Sequence, residues 1–303
     1  MSARAHRTVG LTLQRLLGLL ALQVVVFGAI GCQRDSFKEP LVLGGTSVSA
    51  RTLNRGHRAY LRYCVGCHGR KGDGNVPGQE QMNPMPRDFT KGRFKYTSVL
   101  GDQLPPDRDL LRLLRTGVPG THMPSWSTVE PAELKAIVQY IKTFSPRWRK
   151  EKVGTPLPLP HDPWARDADK ARRRGRVVYH GVARCWQCHP SYLGEDEIRR
   201  LQSRLPVNER LPLRANPRQP LSVPTEYGPT LAPAFKKYQL RGGNRPSDVF
   251  RTIATGIPGT PMPAWHPKLS GRELWALTHY VRSLVGLEPG IKDNESQTRV
   301  NRK

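Results

Sequence analysis

Five cysteines occur in 303 residues, and four of them fall in two copies of one pentapeptide, Cys64-Val65-Gly66-Cys67-His68 and Cys185-Trp186-Gln187-Cys188-His189. Two thiols held two residues apart can each form a thioether to a vinyl group at one porphyrin edge, and the imidazole that follows then falls beneath the iron. The chemistry these residues suit is the covalent attachment of two haem c groups. Cys64, Cys67, Cys185 and Cys188 carry the bonds, and His68 and His189 act as proximal iron ligands. Two other uses of such pairs are zinc binding and a disulfide within each pair. Zinc-binding pairs usually lie much closer in sequence than Cys64 and Cys185 do, and here a His follows both.

A second axial ligand must come from elsewhere. Met123 and Met262 occupy the same place in two copies of Gly-Thr-x-Met-Pro-x-Trp, in a chain with only five methionines. Met is often mere core filler. Its repetition downstream of each pentapeptide points instead to a thioether aimed at iron from a loop stiffened by Gly and Pro. His122 and His266 are the competing ligands, but Pro261 and Ser127 stand at the corresponding positions of the other copy, so neither repeats. A soft thioether favours Fe(II) and raises the reduction potential. Two occupied axial positions suit electron transfer better than catalysis.

The elements that position these residues form an internal repeat. Asp109 to Trp126 reads DLLRLLRTGVPGTHMPSW and Asp248 to Trp265 reads DVFRTIATGIPGTPMPAW, identical at ten of eighteen positions. Each copy has its pentapeptide upstream and a helical pattern downstream. Leu134, Ile137, Val138, Ile141 and Phe144 keep helical spacing after Pro131, as do Leu274, Leu277, Val281 and Leu284 after the capping pattern of Ser270 and Glu273. Further short helices are expected over Leu53–Cys64 and Asp169–Cys185, with little that alternates as a strand. The fold expected is mainly α, with two tandem domains that each wrap a few helices around one haem.

The domains are placed at 51–147 and 169–287, joined by a stiff Pro-rich linker at 148–168 and followed by a polar tail at 288–303. A basic, Pro- and Arg-rich insertion at 195–224 lengthens the second Cys-to-Met span from 59 residues to 77. It reads as a docking surface or as a decorative loop. For the proximal histidines, carbonyl partners are expected at Pro86 and at Pro229. Trp126 and Trp265 are expected near the Met loops, and Arg93, Lys95 and Tyr96 near a haem propionate.

The formal charge of +25 fits a solvated basic surface, or docking to an acidic protein or an anionic membrane surface. Nucleic acid is not the expected partner, because a covalent haem is attached outside the cytoplasm and the basic residues form no reading element. Arg4 and Arg7 precede an apolar run from Leu16 to Gly31, which reads as a signal peptide over 1–31. Ala29-Ile30-Gly31-Cys32 is similar to a bacterial lipobox, which makes Cys32 a lipidation site and 32–50 a membrane tether. An uncleaved anchor helix and plain secretion are the alternatives, and all three place the protein on the periplasmic side of a bacterial membrane.

Both halves, from about Arg51 to Leu287, resemble class I cytochrome c domains, on the signatures CVGCHG and CWQCHP and the two GTxMPxW loops. Together they resemble a tandem dihaem cytochrome c. The resemblance implies His/Met ligation by His68, Met123, His189 and Met262. It also implies one-electron transfer between redox protein partners in a respiratory chain, as a mobile carrier or complex subunit, with no small-molecule substrate. Tandem relatives include the dihaem subunit of cbb3-type oxidases, from which this chain differs in its signal-like segment and its insertion. The rival class is a haem enzyme such as a dihaem peroxidase, which needs one iron with an open or displaceable position. A purely structural or sensory haem protein is a third.

Overall fold

The computed structural model describes residues 35–226 and 228–288. The signal peptide, Cys32 and nearly all of the polar tail lie outside them. The chain divides into two compact units, 1–38 and 39–303, and both pentapeptides lie in the second. No described helix is long and apolar enough to cross a membrane.

The second unit is mainly helical. In chain order, a hairpin of β1 (Leu41–Leu43) and β2 (Thr46–Val48) leads into α1 (Ala50–Tyr63), α2 (Val65–His68), α3 (Asp107–Thr116), α4 (Pro131–Lys142) and α5 (Arg147–Lys150). The second half runs through α6 (Ala168–Val177), α7 (Glu195–Gln202), a two-residue ladder of β3 (Ser222–Val223) and β4 (Thr230–Leu231), α8 (Pro246–Thr255) and α9 (Gly271–Leu284). Local chemistry fixes the starts of the main helices. Ser49 accepts from the Thr52 N–H, Glu130 from those of Ala132 and Glu133, and Asp167 from that of Lys170. Ser270 and Glu273 form the reciprocal box their spacing predicts.

Each half rests on one crossed helix pair, α1 on α4 and α6 on α9. Both crossings are closed by glycine. A Cβ on Gly56 would lie 2.1 Å from the Ala136 carbonyl oxygen and 2.8 Å from Tyr140 Cβ. A Cβ on Gly175 would lie 2.1 Å from the Ala276 oxygen and 2.6 Å from Tyr280 Cβ. The chain thus repeats its closest backbone approach as faithfully as its pentapeptide.

The segments expected to be tether and linker are folded. Leu43 is buried, and Gly44 donates to the Trp148 carbonyl at 2.6 Å, so residues 41–48 dock as a hairpin instead of trailing as a tether. Trp148 is wholly buried beside Phe94, and Lys142 lies over its ring, which puts it in the first core and not at the start of a connector. The Pro-rich stretch is then strapped down. Gly154 donates to the Leu104 carbonyl and Leu157 to that of Ser98. Trp275 donates to the Pro160 carbonyl, and buried Trp164 to that of Arg272. Proline supplies the extended backbone, but tryptophans that need burial and N–H partners hold it against the helices.

The halves also meet directly. Glu226 pairs with Lys91 at 2.9 Å and with Arg93 at 3.3 Å. Arg112 bridges the Tyr96 and Gly242 carbonyls, and Thr255 Oγ1 donates to the Thr97 carbonyl at 3.1 Å.

Glycine to alanine inside a helix normally stabilises by about 0.5–1 kcal/mol. At Gly175 the overpacking cost, about 1–3 kcal/mol, should win. Gly175→Ala is expected to lower the thermal midpoint of the purified holoprotein by roughly 2 to 10 °C. An unchanged or raised midpoint would mean that α6 and α9 do not approach this closely.

Candidate haem sites

The first pentapeptide spans Cys64 and α2, directly after α1. The second forms a single 3₁₀ turn over Cys185–Gln187, preceded by Arg184 at φ 51°. The difference has a cause in the sequence. Cys185 follows Gly175 by ten positions where Cys64 follows Gly56 by eight. The longer spacing in the second half runs through a π turn over Val178–Val182 and the left-handed Arg184. Tyr60 and Tyr179, both buried, tie the helices to the backbone beyond each motif, through the Gly69 carbonyl at 2.7 Å and the Pro190 carbonyl at 2.9 Å.

Each proximal imidazole is oriented in the same way. His68 Nδ1 lies 3.0 Å from the Arg87 carbonyl, and His189 Nδ1 lies 3.0 Å from the Pro233 carbonyl. A carbonyl only accepts, so Nδ1 carries the proton and Nε2 keeps its lone pair for iron. Burial, joined by the Arg87 charge at His68 and the Arg214 charge at His189, pushes both pKa values down and keeps the rings neutral. Phe89 stacks on His68 at 4.4 Å and Phe235 on His189 at 4.8 Å.

The acceptors are not the ones expected. The Pro86 carbonyl faces Gly74, so close that a Cβ there would lie 2.9 Å from it, and the next carbonyl along, that of Arg87, meets the imidazole. In the second domain Thr230 and Leu231 pair with Ser222 and Val223, and the chain beyond that ladder brings Pro233 to His189 in place of Pro229. The shared cue was a Phe two residues after each acceptor, at Phe89 and Phe235.

The Met loops repeat bond for bond. Thr121 Oγ1 donates to the Val118 carbonyl at 2.7 Å and accepts from Met123 N–H at 3.1 Å, while Val118 N–H donates to the Met123 carbonyl. Thr260 and Ile257 do the same for Met262, at 2.8 and 3.2 Å. Gly117 and Gly256 open the loops at φ 64° and 72°, each too close to the following Met carbonyl to carry a Cβ. Both methionines are half-buried, whereas His122 is exposed. Trp126 and Trp265 pin the loops to α3 and α8 through their backbone N–H groups, on Leu114 and Ile253.

The donor set fits a covalent haem. None of the four thiols is in a disulfide, and burial pushes Cys64 and Cys185 up to about 12. No cluster of three or more His, Cys, Asp or Glu among the described residues is placed to hold a metal ion of its own, as zinc would need. Of the residues expected near a propionate, Arg93 is engaged by Asp102 and Glu226. Burial, with the charges of Arg87 and Arg241, pushes Lys95 down to about 8, so cations converge where an anionic group would be favoured. Tyr96 stands beside them at φ 62° and gives its carbonyl to Arg112.

The insertion is not loose decoration. It forms α7 and a brace over the second pentapeptide, where Arg214 donates to the Trp186 and His189 carbonyls and Leu221 to that of Cys188. An Arg closing on backbone carbonyls leaves no sequence pattern, and Arg214 stands out from none of its neighbours in composition.

The chain is similar to a chain of the solved Kuenenia stuttgartiensis reducing HAO-like protein complex Kustc0457/Kustc0458. The two are 30% identical over 76% of this chain and 96% of that one, with a TM-score of 0.63. No curated protein matches. The family described as cytochrome c oxidase, cbb3-type, subunit III matches residues 51–141 and 170–281, one stretch for each pentapeptide and its Met loop. With most of its length matched and its cysteines and histidines set as covalent haem requires, the chain belongs to that family of c-type cytochromes, whose haem serves electron transfer.

Proposed function

We propose that this chain is a dihaem electron carrier on the periplasmic side of a bacterial membrane, lipid-anchored through Cys32 or held by an uncleaved N-terminal helix. It serves a respiratory chain as a mobile shuttle or complex subunit. One haem c is attached at Cys64 and Cys67 with His68 and Met123 as axial ligands. The other is attached at Cys185 and Cys188 with His189 and Met262. The observation that carries this reading is the bond-for-bond identity of the two Met loops, each in the same half as an imidazole whose Nε2 is left for metal. When bound, each haem supplies a one-electron Fe(III)/Fe(II) couple.

The residues around it hold its ligands still. Carbonyls fix the two imidazoles, and threonines and glycines fix the two thioethers. Two filled axial positions leave no place for a substrate, which speaks against a dihaem peroxidase. Partners are read as redox proteins with acidic docking surfaces, from the strong positive charge. The similar chain from a reducing HAO-like complex supports work in a protein complex.

A pyridine haemochrome assay should give two haems c per chain, and one or none would sink the dihaem reading. Met262→Ala should lower one midpoint potential and make one haem, as isolated, bind CO quickly. An unmoved titration would remove Met262 as a ligand, and rapid CO binding by one haem of the unaltered protein, with peroxide turnover, would favour the enzyme. Cys32→Ser should release the protein from membranes, whereas retention in the membrane fraction would support the uncleaved helix.

A further inference from the structure

The two sites share their ligand types but obtain their positive charge differently. At the first, one residue serves twice: the Arg87 carbonyl accepts from His68, and the Arg87 charge acts on the same imidazole. At the second, Pro233 stands in that place and supplies the carbonyl without a charge.

The insertion brings a cation there. Arg214 Nε donates to the Trp186 carbonyl at 2.8 Å, and Nη2 to the His189 carbonyl at 3.0 Å, so the guanidinium grips the pentapeptide from within. Its other bonds go to the carbonyls of Asn216 at 2.7 Å, Pro217 at 3.1 Å and Gln219. All five partners are neutral oxygens. None of the ion pairs found among the described residues includes Arg214, so no carboxylate of those residues lies within ion-pair distance of it.

The lever that carries it is rigid. Buried Gln202 accepts from the Leu211 N–H at 2.7 Å, and Arg210 caps the end of α7 through the Ser203 and Leu205 carbonyls. Ser191 donates to the Pro217 carbonyl at 2.6 Å and Leu221 to that of Cys188 at 2.8 Å, which stitch the insertion to the C-terminal end of the motif and the residues just beyond it. At the first site the carbonyl of His68, which corresponds to that of His189, accepts from the Gly74 N–H at 3.1 Å.

We propose that Arg214 is the potential-setting residue of the second haem: the insertion presses its charge against the proximal pentapeptide and so raises that haem's reduction potential without touching the first. This rests on the dihaem reading above. The oxidised site carries one more positive charge than the reduced one, so a fixed cation beside it disfavours oxidation. The effect falls with distance, and every hydrogen bond of Arg214 goes to the second pentapeptide or to its own insertion. It therefore stays with the site that Arg214 touches.

The test is a spectroelectrochemical titration of the holoprotein, with the second wave assigned as the one that Met262→Ala displaces. Arg214→Met should shift that wave to lower potential and leave the other in place. Arg214→Lys, which keeps the charge but cannot reach five carbonyls, should fall nearer to the unaltered protein. Arg218→Gln removes an equal charge from an exposed position in the same insertion and should move neither wave. The proposal is overturned if Arg214→Met leaves both waves in place, or if Arg214→Lys shifts the second wave as far as Arg214→Met does, since Arg214 would then act only as a brace. Loss of one haem from the unaltered protein would defeat the dihaem reading instead, and the haem count reports that separately.

Discussion

The hydrogen bond from each proximal imidazole to a backbone carbonyl is the constraint on which the rest of each domain depends. It decides which ring nitrogen faces the metal, and it does so only if a loop from elsewhere in the chain delivers one carbonyl within 3.0 Å. The crossed helices fix where the pentapeptide sits, and Tyr60 and Tyr179 fix the backbone that leaves it. Phe89 and Phe235 then set the plane of the ring.

The same logic explains why the halves can diverge and still keep one chemistry. The second half has two more residues before its pentapeptide and a longer stretch after it than the first. The longer spacing before it runs through a π turn, where His180 is buried and held neutral, its pKa pushed down by burial to about 4. That ring joins the Arg176 carbonyl to the Tyr192 N–H, and Tyr192 in turn accepts from the Phe235 N–H, so the extra residues help to steady the ring that stacks on His189. The longer stretch after it closes over the motif through Arg214. Both differences lie outside the bond to the carbonyl.

Contacts between the halves bear on electron transfer as well as on stability. Glu226 draws Lys91 and Arg93 across the boundary, while Arg112 and Thr255 join backbone to backbone. The Pro-rich segment lies along both halves instead of spanning a gap. The two pentapeptides are thereby held in one fixed relation, which a flexible connector would not provide.

The sequence by itself determined the repeat and the kind of cofactor chemistry it points to. The thiol count, the pentapeptides and the repeated Met loops are local patterns, and local patterns survive in one dimension because their spacing is the chemistry. The helix starts at Pro131 and after Ser270 were equally legible, since a cap such as Ser270 with Glu273 is satisfied within one turn, whereas the first helix begins at Ala50 where Leu53 was expected and the one expected to run to Cys185 ends at Val177. What only the tertiary structure decided was everything that depends on backbone groups from distant segments. Any residue can offer a carbonyl, so Arg87 and Pro233 were marked only by the Phe two residues further on, and Pro86 and Pro229 drew the expectation instead. Gly56 and Gly175 are ordinary until another helix lies against them, and Trp148 looks like linker until its ring needs a core. Arg214 is one arginine among many in a basic chain. Its place against five carbonyls arises only when the insertion folds back on the haem motif, because a guanidinium's partners there are set by shape and not by residue type.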